Sequence, residues 1–290
     1  MINRKLYKII RTTLTVVILL LLPLYILVQI IFPDTSKNEK AAAEFVGKET
    51  CIECHQAEYD DWTGSDHDLA MDYATDSTVL GDFNNATLFA NNQTNKFYKK
   101  DNKFYVFTDG DDGKMHEFEV KYVFGYTPLQ QYLVEFEGGR LQTLALTWNT
   151  EAGNWYYMPD STYKDMNVDY ANWLHWTNQA QNWNSMCADC HSTNLKKGYD
   201  TNTDSYHTTW SEIDVSCEAC HGPASEHLKW ANLAKYARKD FVNFGLPIKT
   251  SGIDNVQYVD NCVRCHSRRV ALSDFDFHSQ NIYNHTIPSL

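Results

Sequence analysis

The sequence predicts an α+β fold of short helices and loops wrapped around bound cofactors, with an inserted antiparallel β-meander and one N-terminal transmembrane helix. Three observations carry this prediction. One short motif occurs four times and uses all eight cysteines. A long cysteine-free stretch contains segments that alternate apolar and polar residues, as strands do. A run of 21 uncharged residues lies near the N-terminus.

The uncharged run, residues 12–32, has the length of about 20 residues that a helix needs to cross a bilayer. Residues 1–11 contain four basic residues and no acidic one, which predicts that they stay in the cytoplasm. Residues 12–32 are then a single-pass anchor in a bacterial inner membrane, and the bulk of the protein lies in the periplasm. A cleaved signal peptide, ending near residues 41–43, is the alternative.

Beyond the anchor we expect a linker at residues 33–44 and one periplasmic domain at residues 45–290. The formal net charge of the chain is −12 at pH 7. Nucleic-acid binders usually present a basic face, so this composition argues against nucleic acid as a partner.

The eight cysteines form four Cys-x-x-Cys-His frames, which we number motifs 1 to 4 in chain order. They are Cys51, Cys54 and His55; Cys187, Cys190 and His191; Cys217, Cys220 and His221; and Cys262, Cys265 and His266. This frame is the attachment signature of c-type haem. Disulfides, zinc ribbons and a thioredoxin-like site are alternatives, but none of them needs a histidine directly after the second cysteine.

The spacing within each motif has a physical reason. Cysteines three residues apart lie one helical turn apart on the same face, where both sulfurs can form thioethers along one haem edge. The histidine that follows then reaches the iron as its proximal ligand. The sequence therefore predicts four covalently bound haem c groups, with the motif histidines as proximal ligands.

The stretch between motifs 1 and 2 has the period of strands. Two hairpins and one further strand are predicted, at residues 103–108 with 116–122, at 132–136 with 141–148, and at 155–158. We therefore expect a β-rich insert at about residues 96–160. Motifs 2 to 4 follow within residues 174–290, in short helices and loops that need their haems to fold.

The region around motif 1 resembles the cytochrome c domain of the tetrahaem electron carriers of nitrifying bacteria. The likeness rests on residues 45–55, followed by Tyr59, Trp62, Ser65 and His67. The pattern is still more similar to bacterial proteins that join such a multihaem domain to tetratricopeptide repeats. It reappears at residues 123–132, 174–176, 181–184 and 217–227.

Members of that family usually continue beyond the equivalent of Leu290, with further haem motifs and then repeats. This chain stops shortly after motif 4. We expect a C-terminal truncation or a naturally short version, so four haems are a minimum for the intact gene product.

Each iron needs a sixth ligand unless it is a reaction site. Seven histidines lie outside the motifs: His67, His116, His175, His207, His227, His278 and His285. The resemblance implies that His67 and His227 are distal ligands, and His67 is expected to reach a haem other than that of motif 1. His175 is a third candidate, for which a structural histidine is the alternative. Met71 and Met186 are possible methionine ligands.

Closely spaced haems predict electron transfer, so the expected function is that of an electron carrier. Its partners would be other redox proteins or quinol-oxidising components of the membrane. An alternative is an oxidoreductase acting on nitrite or hydroxylamine, which needs an open iron site. Arg268 and Arg269 could serve that site, although pairing with haem propionates is the simpler role. A haem-containing scaffold or sensor is the third hypothesis.

Overall fold

An antiparallel sheet between motifs 1 and 2 is the largest element of the structure. The computed structural model describes residues 4–31, 43–162, 166, 168–274 and 282–289. It confirms the predicted mixture of helix and antiparallel sheet. The chain divides into two units, Met1–Ala43 and Glu44–Leu290.

The first unit contains the helix α1 (Arg4–Ile31), with Pro23 inside it. Within the described ranges, no helix is both long and apolar enough to cross a membrane. The transmembrane anchor therefore stays a prediction. Most of the predicted linker, residues 33–42, lies outside the described residues, as does the candidate histidine His278.

The second unit is built on a nine-stranded sheet. Its strands are β1 (Met71–Tyr73), β2 (Asn84–Ala90), β3 (Gln93–Lys100), β4 (Lys103–Asp109), β5 (Met115–Phe124), β6 (Leu129–Phe136), β7 (Arg140–Thr143), β8 (Leu146–Asn149) and β9 (Asn154–Tyr157). Along the main path the order is β2-β3-β4-β5-β6-β8-β9, while β1 pairs with β5 and β7 pairs with β6. The path follows the chain order, so the predicted meander is confirmed.

The sheet differs from the expectation in two places. It starts before residue 96, because β2 and the first part of β3 pair ahead of that point. In addition, the predicted strand at residues 141–148 is divided into β7 and β8, which pair with different parts of β6.

The two hairpins that the sequence pattern missed turn without glycine. Asn91 and Asn92 connect β2 to β3 with φ of 50° and 59°, and Asp101 and Asn102 connect β3 to β4 with φ of 51° and 58°. Two-residue hairpins of this twist need positive φ at both central residues, and Asn and Asp tolerate it better than other side chains.

Aromatic packing forms the core of the sheet. Phe97 stacks on Trp155 with ring centroids 3.6 Å apart. Phe83 meets the rings of Phe97, Phe104, Tyr132 and Trp155 edge-on. Such pairs contribute about 0.5–1.5 kcal/mol each beyond the burial of their area. The sheet therefore has a dense apolar core of its own.

The motifs lie in short helices with much less core. These helices are α2 (Lys48–Ile52), α3 (Gln56–Trp62), α4 (Met158–Thr162), α5 (Trp183–Met186), α6 (Ala188–His191), α7 (Cys217–His221), α8 (Ser225–Asn232) and α9 (Asn255–Val263). Two small strand pairs join β10 (Tyr199–Asp200) to β11 (Ser205–Tyr206) and β12 (Arg269–Ala271) to β13 (Thr286–Pro288). Helices α2, α3, α8 and α9 bury no residue against protein, as expected where macrocycles would supply the apolar contact.

A buried charged contact joins the sheet to the segment before motif 2. Asp109, at the end of β4, lies 3.0 Å from Nε2 of His175, whose Nδ1 lies 2.8 Å from the hydroxyl of Thr177. The indole of Trp176 donates to the carbonyl of Asp109 at 2.8 Å. Burial by itself raises the pKa of Asp109, but the hydrogen bond and charge of His175 outweigh it and hold that pKa below its usual value.

We expect Asp109→Asn to destabilise the protein at pH 7 by about 1–3 kcal/mol, because the buried His175 loses a charged partner. A carboxylate with a lowered pKa contributes its stability above its unfolded pKa, about 3.9, and loses it as the pH falls through the folded pKa. The difference between wild type and variant should therefore narrow below about pH 4.

The free energy of unfolding of wild type and variant is measured in urea by tryptophan fluorescence, once at pH 7 and once below about pH 4. Asp111→Asn, in the exposed turn that follows, is the matched control. An equal loss at both pH values would show that the carboxylate charge is not the stabilising feature.

Candidate cofactor site

Each motif folds as a tight turn that brings its two sulfurs and its imidazole together. In motif 1 the N–H of His55 donates to the carbonyl of Cys51 at 2.9 Å, and in motif 4 that of His266 donates to Cys262 at 2.9 Å. Motif 3 is the helix α7, and motif 2 occupies α6 and its N-cap. None of the eight cysteines is in a disulfide. This is the local geometry that attachment of a haem along one edge requires.

Motifs 1 and 3 lie against each other. Cys51 and Cys217 line the same small cavity, and their proximity raises the pKa of Cys51 and lowers that of Cys217 to about 7. Glu218, between the cysteines of motif 3, is 1% exposed and accepts from the backbone N–H groups of Val46 and Gly47 at 2.9–3.0 Å. Burial raises the pKa of this carboxyl. Glu218 therefore fixes the segment that leads into motif 1 on the helix of motif 3.

Further polar contacts hold the same junction. The Nζ of Lys48 lies 2.6 Å from Asp214, and the N–H of Lys48 donates to Glu212 at 2.9 Å. The indole of Trp62 donates to the carbonyl of Val215 at 3.0 Å. The loop before motif 3 thus binds both ends of the segment around motif 1.

Motifs 2 and 4 form a second junction. The thiol of Cys190 donates to the carbonyl of Cys265 at 3.9 Å, and Cys190, with the nearby Arg264, lowers the pKa of the Cys265 thiol to about 5. Arg269 is 6% exposed and forms an ion pair with Asp189, which lies between the cysteines of motif 2. Its Nη2 also approaches the sulfur of Cys190 at 3.4 Å.

One arginine connects the two junctions. Arg264, between the cysteines of motif 4, donates from Nη2 to the carbonyl of Ala219 in motif 3 at 2.7 Å. Contacts therefore run from motif 1 to motif 3, from motif 3 to motif 4, and from motif 4 to motif 2.

Two pairs of histidine rings face each other across the site. The centroids of His55 and His227 are 6.2 Å apart, and those of His67 and His266 are 6.1 Å apart. Metal–imidazole bonds of about 2 Å, plus roughly 1 Å from a ring nitrogen to the ring centre, would separate two axial rings by about 6 Å. Both pairs therefore have the spacing that a haem iron between them would need.

Two histidines in this region make the hydrogen bond that is typical of a histidine bound to a metal. Nδ1 of His227 donates to the carbonyl of Phe244 at 2.9 Å, and Nδ1 of His191 donates to that of Ala70 at 3.1 Å. Axial histidines usually make such a bond, because it fixes the tautomer and leaves Nε2 for the metal. The pKa of His221 is lowered, first by burial and then by the charges of His55 and His227.

Two cavities accompany the motifs. One of about 560 Å³ is lined by His67, by His266 with both cysteines of motif 4, and by Cys190 and His191. A second, of about 190 Å³, lies between motifs 1 and 3. The larger volume is typical of a site that encloses an organic ligand, about 300–1,000 Å³.

The other sequence candidates lie in different surroundings. Both ring nitrogens of His175 already have partners, Asp109 and Thr177, so this histidine is placed as a structural contact of the sheet. Met71 is buried in the apolar cluster with Phe124, and Met186 is 63% exposed. His116 lies exposed in β5 beside the exposed Asp112, away from the motifs.

Sequence reasoning missed the residues that join the motifs. Asp189, Glu218 and Arg264 each lie between the two cysteines of a motif, at positions treated there as unconstrained. A signal was present, because each motif carries one charged residue at these two positions, with Glu53 in motif 1.

Two family models of c-type cytochromes match parts of the chain. The model described as cytochrome c7 and related cytochrome c matches residues 172–267, which contain motifs 2 to 4. The model described as cytochrome c554 and c-prime matches residues 50–103, which contain motif 1. No curated protein matches the chain significantly.

Among solved structures, the chain is similar to the crystal structure of the outer cell wall cytochrome OcwA, with a TM-score of 0.51 and 18% sequence identity. The match covers 84% of this chain and 45% of that one, so this chain spans less than half of OcwA. At this identity the likeness shows the fold alone. The two family matches, each over its own motifs, support a multihaem cytochrome c.

Proposed function

We propose that this chain is an electron-transfer cytochrome c that binds four haems covalently, one at each motif. The proposal rests on two pairs of histidine rings. The ring centroids of His55 and His227 are 6.2 Å apart, and those of His67 and His266 are 6.1 Å apart. This spacing matches the distance between two imidazole rings that bind one iron from opposite sides. Bound haem supplies an iron that takes up and returns one electron.

The chain's residues have distinct roles in this proposal. The cysteines of each motif hold the macrocycle, and the motif histidine binds the iron from the proximal side. His227 is the distal ligand at motif 1, and His67 is the distal ligand at motif 4. With histidine on both sides, these two irons are closed to small ligands, as suits a carrier.

The contacts between motifs support a continuous array of four haems. Cys51 and Cys217 line one cavity, and Cys190 and Cys265 line another, so groups attached there would be neighbours. Arg264 brings the two pairs together through motif 3. The proposed order along the array is therefore motif 1, motif 3, motif 4 and motif 2.

The location of the protein and its partners belongs to the same proposal. The basic residues 1–11 and the uncharged residues 12–32 favour a single-pass anchor in a bacterial inner membrane, with the haem domain in the periplasm. A carrier held there could receive electrons from quinol-oxidising components of the membrane or from other redox proteins. The nitrifier-type domain and its fusion to repeats remain part of this proposal.

We expect His67→Ala and His227→Ala each to convert one of the four irons from low spin to high spin. The reason is that each variant removes one distal imidazole and leaves the proximal bond in place. Electron paramagnetic resonance of the oxidised protein counts the high-spin irons, and carbon monoxide added to the reduced protein detects the opened site.

His116→Ala is the matched control, since His116 lies in the sheet beside Asp112. It should leave the spectrum unchanged. Retention of a fully low-spin spectrum in both distal variants would refute the proposed ligand pairs.

A second candidate function is an oxidoreductase acting on small nitrogen compounds. It is favoured by one observation: in the described part of the chain, only two of the four motif histidines face a second histidine ring at ligand spacing. His191 instead packs against Phe124, with ring centroids 5.3 Å apart. Arg269 is paired with Asp189 and buried, which argues against it as a substrate-binding group.

Nitrite and hydroxylamine titrations of the purified holoprotein separate the two functions. An enzyme should show a high-spin iron as isolated, and nitrite should convert that signal. A pure carrier should have four low-spin irons that respond to neither compound.

A further inference from the structure

The charged side chains differ between the two junctions of the motifs. At the junction of motifs 1 and 3, the charged side chains are mainly carboxylates. Glu218 is buried with only backbone N–H partners, and Glu212 accepts from the backbone of Lys48. The ammonium group of Lys48 is paired with Asp214, and within the described part of the chain neither glutamate forms an ion pair of its own.

More carboxylates lie on the helices that flank motif 1. They are Glu49 in α2, Glu53 between the cysteines and Glu58 in α3. Glu58 lies 3.7 Å from Nδ1 of His55, the proximal histidine. Any group bound at motif 1 is therefore in a field of negative sign.

At the junction of motifs 2 and 4, arginine side chains lie beside the motifs. Arg264 and Arg269 both lie within or directly after motif 4, and Arg269 is almost fully buried. Asp189 balances one of them. The exposed Arg268 adds a third positive charge next to motif 4. Asp66, which lines the cavity with His67 and His266, and Asp260 in α9 offset part of this charge, so this junction is less negative than the junction of motifs 1 and 3.

We propose that these charges polarise the haem array, so that a haem on motif 1 has a lower reduction potential than a haem on motif 4. This inference rests on the proposed function. The axial ligands do not explain such a difference, because both irons are assigned two histidines. The charged side chains around each motif are then what would set the difference in reduction potential.

The physical reason is the charge change on reduction. Each iron that goes from ferric to ferrous takes up one electron from an external one-electron reductant, so the site becomes more negative by one charge. The carboxylates around motif 1 oppose that change, and the arginines around motif 4 favour it. Electrons therefore collect at motif 4 in preference to motif 1, and motif 1 is the end of the array that suits a strongly reducing donor.

The two irons can be distinguished because their ligand rings are oriented differently. The rings of His55 and His227 are 34° apart, and those of His67 and His266 are 70° apart. Nearly parallel axial imidazoles give a rhombic low-spin ferric signal, and nearly perpendicular ones give a highly anisotropic signal. His227→Ala and His67→Ala identify the signals, since each variant removes one of them.

A reductive titration of the holoprotein with dithionite, followed by electron paramagnetic resonance, tests the proposal. The signal that His67→Ala removes should disappear first, and the signal that His227→Ala removes should disappear last. The opposite order, or the same midpoint for both, would overturn the inference. A protein without low-spin haem signals would instead refute the proposed function.

Two charge variants test the cause. Glu218→Gln keeps a hydrogen-bond acceptor for the backbone of residues 46 and 47, and should raise the midpoint of the motif 1 signal. Arg264→Gln keeps a donor for Ala219 and should lower the midpoint of the motif 4 signal, so the test survives if Glu218→Gln does not fold. Glu151→Gln, in an exposed turn of the sheet, should move neither midpoint. Unmoved midpoints in both charge variants would show that other features set the potentials.

Discussion

An iron bound by two imidazoles requires the two rings to be held about 6 Å apart on opposite sides of a macrocycle. In this protein each such pair joins residues from distant parts of the chain: His55 with His227, and His67 with His266. The short helices around the motifs bury little against protein and cannot fix that spacing alone. The polar contacts between motifs are therefore what the site depends on before any cofactor contributes.

The sheet and the motif region are stabilised by different interactions. The sheet has an aromatic core and needs nothing bound to pack well. The motif region is held by Glu218, Arg264 and the Arg269–Asp189 ion pair, each placed inside or beside a motif. These residues join the motifs and also place charge beside them. In the proposed haem array, one set of side chains would therefore govern both the architecture and the redox properties.

The predictable part of the structure is the part with a local signature. The four motifs and the hairpin at β4 and β5 follow from residue spacing and from a glycine-containing turn. The sequence pattern did not predict the β2–β3 hairpin, because its turn is Asn91-Asn92 and contains no glycine. It also did not identify Asp109 as the partner of His175, because the two residues are distant in sequence. The contacts of Glu218 and Arg264 likewise join distant segments, which no spacing rule in one sequence can reveal.

The proposed function depends on eight cysteines that hold four haems. The most direct test is the intact mass of the exported, purified protein, measured together with its pyridine haemochrome spectrum. We expect a polypeptide mass increased by four haems that denaturation does not remove, and the spectrum of haem bound through two thioethers. A colourless protein with the mass of the bare chain, or with zinc or disulfides at the motifs, would contradict it.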